Sequence, residues 1–127
     1  MSVKRIVAGL VAMVVTACAL SFAGELLGID RFLAVGGGLS FLTSALVGGF
    51  VARSGFVLPA LLVWSAVWGA VIYTLYRIAE PTGTASIAGI LSYNAMDLAI
   101  SLIGTWCGAV LGQHASRYFA ASRPVAT

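Results

Sequence analysis

The charged residues of this chain are spaced a membrane apart. Nineteen uncharged residues, 6–24, lie between Arg5 and Glu25, and twenty-one, 32–52, lie between Arg31 and Arg53. Twenty-three more, 54–76, precede Arg77, and nineteen, 98–116, separate Asp97 from Arg117. A helix rising about 1.5 Å per residue needs about 20 apolar residues to cross a hydrocarbon core of about 30 Å. Inside lipid each backbone polar group must find its partner within the protein, which favours helices. The spacing therefore predicts an all-α fold: an integral membrane four-helix bundle with short connecting loops. It reads as a single transmembrane domain over residues 1–127, with spans near 6–24, 32–52, 56–76 and 95–116.

Composition points the same way. The chain is 61% hydrophobic and only 9% charged, whereas a soluble domain carries about 25% charged residues to face water. The net charge of +3 does not imply nucleic-acid binding, because no basic run exceeds Lys4-Arg5 and there is no patch to follow phosphates. Lys4, Arg5, Arg53, Arg117 and Arg123 fall on one side of the predicted membrane. Arg31 and Arg77 fall on the other, with Glu25, Asp30, Glu80 and Asp97. Basic residues are retained on the cytoplasmic face, so both termini are expected there, and a bacterial inner (plasma) membrane is the expected location. Membrane lipids are the expected surroundings.

The first span also has signal-like features: Lys4-Arg5, an apolar run, and the stretches Ser21-Phe22-Ala23 and Val15-Thr16-Ala17-Cys18. The apolar run continues through Leu20 and resumes at Leu26-Leu27, with no polar tether after the cysteine. Retention of this helix, and not its processing as a signal or lipoprotein segment, is expected. Between the third and fourth spans, Pro81-Thr82-Gly83 signals a turn and residues 85–91 are again apolar. A continuous helix from 85 to 117 would be about 50 Å long and overshoot the bilayer, so a break or steep tilt is expected near Ser92 to Asn94. Tyr73, Tyr76 and Tyr93 are expected at the outer boundary, and Phe56, Tyr118 and Phe119 at the inner one.

One pattern stands out. Gly36, Ser40, Ser44, Gly48 and Ala52 recur at every fourth position of the second span, as do Gly104, Gly108, Gly112 and Ser116 in the fourth. Small residues at this spacing form a smooth strip that lets another backbone approach closely. The strips can serve packing within the bundle, or association with a second copy or another membrane protein.

Candidate chemistry is sparse. No acid or base lies mid-membrane, where it would mark an ion path. Asn94 followed by Asp97 resembles a helix start, with Asp97 also able to pair with Arg31 or Arg77. The functional alternative is an outer vestibule of Glu25, Asn94 and Asp97. Trp64, Trp68 and Trp106 fall near mid-bilayer, and their indole N–H groups need partners; Ser65, Ser101, Thr43 and Ser44 are candidates. They either pack as large rings or line a cavity. Cys18 and Cys107 are isolated from each other and from the single histidine, His114, so no metal site and no cofactor are expected. GxSxG is absent from the sequence, and no enzymatic activity is expected.

In size and span number the chain is similar to the small multidrug resistance exporters, whose first helix carries a membrane-embedded glutamate. Residues 6–24 contain no acid, and the threonine- and phenylalanine-rich filter of fluoride channels of this size is also missing. The sequence thus leads to a structural or interaction role in the membrane through the small-residue faces. The alternative is a passive channel or transporter with a tryptophan-lined cavity.

Overall fold

The computed structural model of the protein describes residues 2–28 and 38–124. Helix α1 spans Val3–Leu27, α2 Gly38–Ala52, α3 Val57–Ala79, α4 Ile87–Tyr93 and α5 Ala95–Ala121. A single 3₁₀ turn, Glu80–Thr82, follows α3. The described residues form helices and their connections, with no strand. Three stretches, Val3–Leu27, Val57–Thr82 and Ala95–Ala121, are long and apolar enough to cross a membrane. The described α2 has 15 residues, about 22 Å, and the first part of the expected second span, Gly36 included, lies outside the described residues.

The helix ends follow from local chemistry. Helix α1 stops at Gly28, whose φ of 65° lets its N–H reach back to the carbonyls of Glu25 and Gly24, an end geometry that glycine adopts without penalty. Between α2 and α3 the chain turns through Arg53 and Gly55, both at φ 68°. Pro59 lies in the first turn of α3, where an N–H has no helical partner to lose. The Ser86 hydroxyl accepts from the Gly89 N–H at 3.2 Å and starts α4.

The expected interruption falls at Asn94, which separates α4 from α5. Its role differs from the one the sequence suggested. The side chain does not cap α5; its Nδ2 turns back and donates to the Ile90 carbonyl at 2.8 Å. The Ile90 carbonyl, which also accepts the Asn94 backbone N–H at 3.1 Å, has a second lone pair for this bond.

Helix α2 is the centre of the packing, with α1 against one face and α5 against another. Among the described residues α1 does not reach α5. Helix α3 rests mainly on α5, with its first turn wedged toward α1 and α2. Phe56, expected in an interfacial belt, is instead 0% exposed. Its ring occupies the space beside Gly9 and Gly48, which only glycine leaves free. Tyr73, Tyr93, Tyr118 and Phe119 are exposed.

Candidate functional site

The small-residue strips are committed inside the chain. A Cβ placed on Gly104 would stand 2.7 Å from the Gly38 carbonyl oxygen; one on Gly108 would meet the Leu42 carbonyl, and one on Gly112 the Leu46 carbonyl. Three glycines of α5 thus lie along successive carbonyls of α2, an approach that permits Cα–H···O contacts. The interface is reciprocal at Gly49, where a Cβ would stand 2.6 Å from the Ala109 carbonyl oxygen. The strip of α2 seen in the sequence turns elsewhere. Gly48 lies against Gly9 of α1, and a Cβ on Gly9 would also come within 2.9 Å of the Ala52 Cβ. Helix α2 therefore uses two small-residue faces. The one that meets α5, with Gly38, Ala45 and Gly49, lacks an unbroken four-residue rhythm and was not evident in the sequence.

The tryptophans separate into a pair and a single residue. Trp64 and Trp68 both donate their Nε1–H to the Ser101 hydroxyl oxygen, each at 2.9 Å. The Ser101 hydroxyl in turn donates to the Leu98 carbonyl at 3.2 Å. Ser101 is buried where α3 crosses α5, so its oxygen joins the two helices in a setting without competing water. Trp106 lies five residues along α5, about 140° around the helix, and is 55% exposed. The three rings do not line one cavity.

A cleft of about 290 Å³ does open between α1, α2 and α3, lined by Met13, Cys18, Phe41, Ser44, Val63 and Val67. Its walls include the neighbours of the paired tryptophans but neither ring. The Ser44 hydroxyl is buried in this wall without a hydrogen-bond partner. Thr16, Thr43, Ser65, Thr74 and Thr105 by contrast donate to the carbonyl four residues earlier.

The residues of the expected outer vestibule do not line one pocket. Arg77 pairs with Glu80 at 3.2 Å, both side chains exposed, and not with Asp97. Asp97 lies in the first turn of α5, where its charge suits the helix dipole. Asn94 lines a shallow cavity between α3 and α4 whose wall includes neither Glu25 nor Asp97. Among the described residues no group of three His, Cys, Asp or Glu side chains could hold a metal ion.

Among the described residues the fold is all-helical, and three of its helices are long and apolar enough to cross a membrane, which is consistent with an integral membrane protein. No family model, curated protein or solved structure matches it.

Proposed function

We propose that the protein is a four-span structural or interaction component of a membrane, with both termini cytoplasmic, and that it associates through the outward face of α3. The observation that carries this reading is the contrast between the glycines. Those of α2 and α5 stand against neighbouring backbone or side chains, whereas a Cβ on Gly69 would meet nothing within 4 Å. Gly69 shares one exposed face with Ser65, Ala66 and Ala70, a small-residue surface suited to close helix approach in lipid. Helix α3 is also thinly covered by the rest of the chain, with Ala60 its single buried residue. Five of the seven basic residues cluster at one end of the spans, which supports the orientation.

Two differently tagged copies, co-expressed and solubilised gently, should co-purify, and Gly69→Leu should abolish this while the helical content is kept. Tagged copies that never co-purify, or that do so equally with Gly69→Leu, would remove α3 as the association face. A second reading, a passive carrier, is supported by the cleft that holds Ser44. It requires solute flux in vesicles that narrows when Ala17→Phe fills that cleft, with assembly unchanged.

A further inference from the structure

The C-terminal ends of α2 and α5 border an open surface pocket of about 480 Å³ lined by Phe50, Arg53, Ser116, Phe119 and Arg123, among others; all of these but Ser116 are exposed. This volume lies within the range of about 300–1,000 Å³ typical of small-molecule sites. Three features distinguish it from a basic helix end that only orients the chain. Among the described residues neither Arg53 nor Arg123 has a carboxylate partner. The described acids, Glu25, Glu80 and Asp97, belong to the other end of the spans. The Ser116 side chain is only 5% exposed and lines the pocket, yet its hydroxyl makes no hydrogen bond among the described residues.

The backbone adds a further feature. Arg53 stands at φ 68°, a left-handed conformation that disfavours side chains other than glycine, asparagine and aspartate. The turn carries an arginine there, and its side chain lines the pocket. The apolar wall is made by Phe50 and Phe119, whose rings meet edge to face with centroids 6.1 Å apart.

We propose that this pocket binds the headgroup of an anionic glycerophospholipid. Two guanidinium groups and the Ser116 hydroxyl supply donors and no anionic acceptor, which suits phosphate oxygens. The phenylalanine wall suits the adjoining glycerol and the start of the acyl chains. The site lies at the end of the apolar spans, the depth of a headgroup, and basic pockets between spans hold anionic lipids there. A zwitterionic lipid fits less well, because its own cation competes with the arginines for the phosphate. The proposal does not depend on association through α3.

The test uses the full chain in detergent micelles, with bound lipid counted by native mass spectrometry. Phosphatidylglycerol and phosphatidylcholine of matched acyl chains are the probes. Phosphatidylglycerol should be retained in preference, and Arg53→Gln or Arg123→Gln should each weaken its retention about tenfold, the scale of one charge-assisted hydrogen-bonded contact. Ser116→Ala should weaken it less. Arg117→Gln removes an equal charge one residue from Ser116 but outside the pocket wall, and should change nothing. Arg123 lies beyond the end of α5, so its replacement does not threaten the fold. Equal retention of the two lipids, or an Arg117→Gln effect as large as that of Arg123→Gln, would overturn the site. Displacement of the lipid by excess inorganic phosphate would overturn the lipid assignment in favour of a soluble phosphate ligand.

Discussion

Gly9 and Gly48 meet backbone to backbone: a Cβ on Gly9 would stand 2.7 Å from the Gly48 carbonyl oxygen, and one on Gly48 would stand 2.8 Å from that of Gly9. The same Cβ on Gly48 would fall 2.5 Å from Phe56 Cζ, so the helices cannot separate without unseating that buried ring. Gly48→Ala should therefore destabilise the protein by about 1–3 kcal/mol, the scale of core overpacking. Gly69→Ala, with open space around it, should leave the fold unchanged or raise its stability by up to about 1 kcal/mol through helix propensity. Unfolding in mixed micelles titrated with denaturing detergent measures both. Equal losses at the two positions would contradict the difference in packing.

Ser101 accepts from two indoles through one oxygen, and this sharing has a measurable signature. Interhelical hydrogen bonds in membrane proteins contribute about 0.6 kcal/mol on average and up to about 1.7. Ser101→Ala should then lower stability by about 1–3 kcal/mol and shift the tryptophan emission, since both Trp64 and Trp68 lose their acceptor. Trp64→Phe and Trp68→Phe should interact in a double-mutant cycle, because either ring can tighten on Ser101 when the other is gone. Unchanged emission in Ser101→Ala would place the indole partners elsewhere.

The parts legible in the sequence are those governed by one-dimensional rules. Uncharged intervals announce helices because lipid leaves the backbone few alternatives, and the length of the segment ending at Arg117 foretold an interruption near Asn94. Gly104, Gly108 and Gly112 were readable as a close-approach strip because their spacing matches the helix period. Their partner was not readable. Which carbonyls they meet depends on how two axes cross, and the answering face of α2, with Gly38, Ala45 and Gly49, has no unbroken rhythm. Phe56 misled for a related reason. Its position at a helix start suits an interfacial ring, and only the paired glycines of α1 and α2 create the space that buries it. The pocket between Arg53 and Arg123 joins residues 70 positions apart (123 less 53), and its one sequence trace was a charge imbalance that an expected membrane orientation accounts for equally well.

Asn94 offers a test in which two roles predict opposite outcomes. Its Nδ2 donates to the Ile90 carbonyl, a role that requires the amide. Asn94→Asp should leave that carbonyl with only the backbone N–H of residue 94 and let α4 fray. A side chain capping α5 would tolerate aspartate or improve with it, since aspartate is a good N-terminal cap. Amide hydrogen exchange in α4 should accelerate by about fivefold to tenfold in both Asn94→Asp and Asn94→Ala, equivalent to about 1 kcal/mol. The first turn of α5 should be unaffected. Faster exchange confined to α5 would restore the capping role to the α5 side.

Ser44 should be better replaced than kept, as far as stability is concerned. Its hydroxyl is buried beside Met13, Phe41 and Val63 without a partner, and an unsatisfied buried hydroxyl costs about 1–3 kcal/mol. Ser44→Ala removes that group, and the alanine methyl keeps the contact with the cleft wall. The substitution should raise stability by about 1 kcal/mol, after allowance for relaxation of the hydroxyl in the parent protein. Thr105→Val makes the contrast at a site equally buried. The Thr105 hydroxyl donates to the Ser101 carbonyl at 2.8 Å, so its loss should be neutral or mildly destabilising, by up to about 1 kcal/mol. The two substitutions thus differ in sign although each deletes one buried hydroxyl. A stabilising Ser44→Ala that also abolishes solute flux would show that the hydroxyl is retained at the expense of the fold because the cleft is used. A destabilising Ser44→Ala would mean that the hydroxyl has a partner in the membrane, and the contrast with Thr105 would fail.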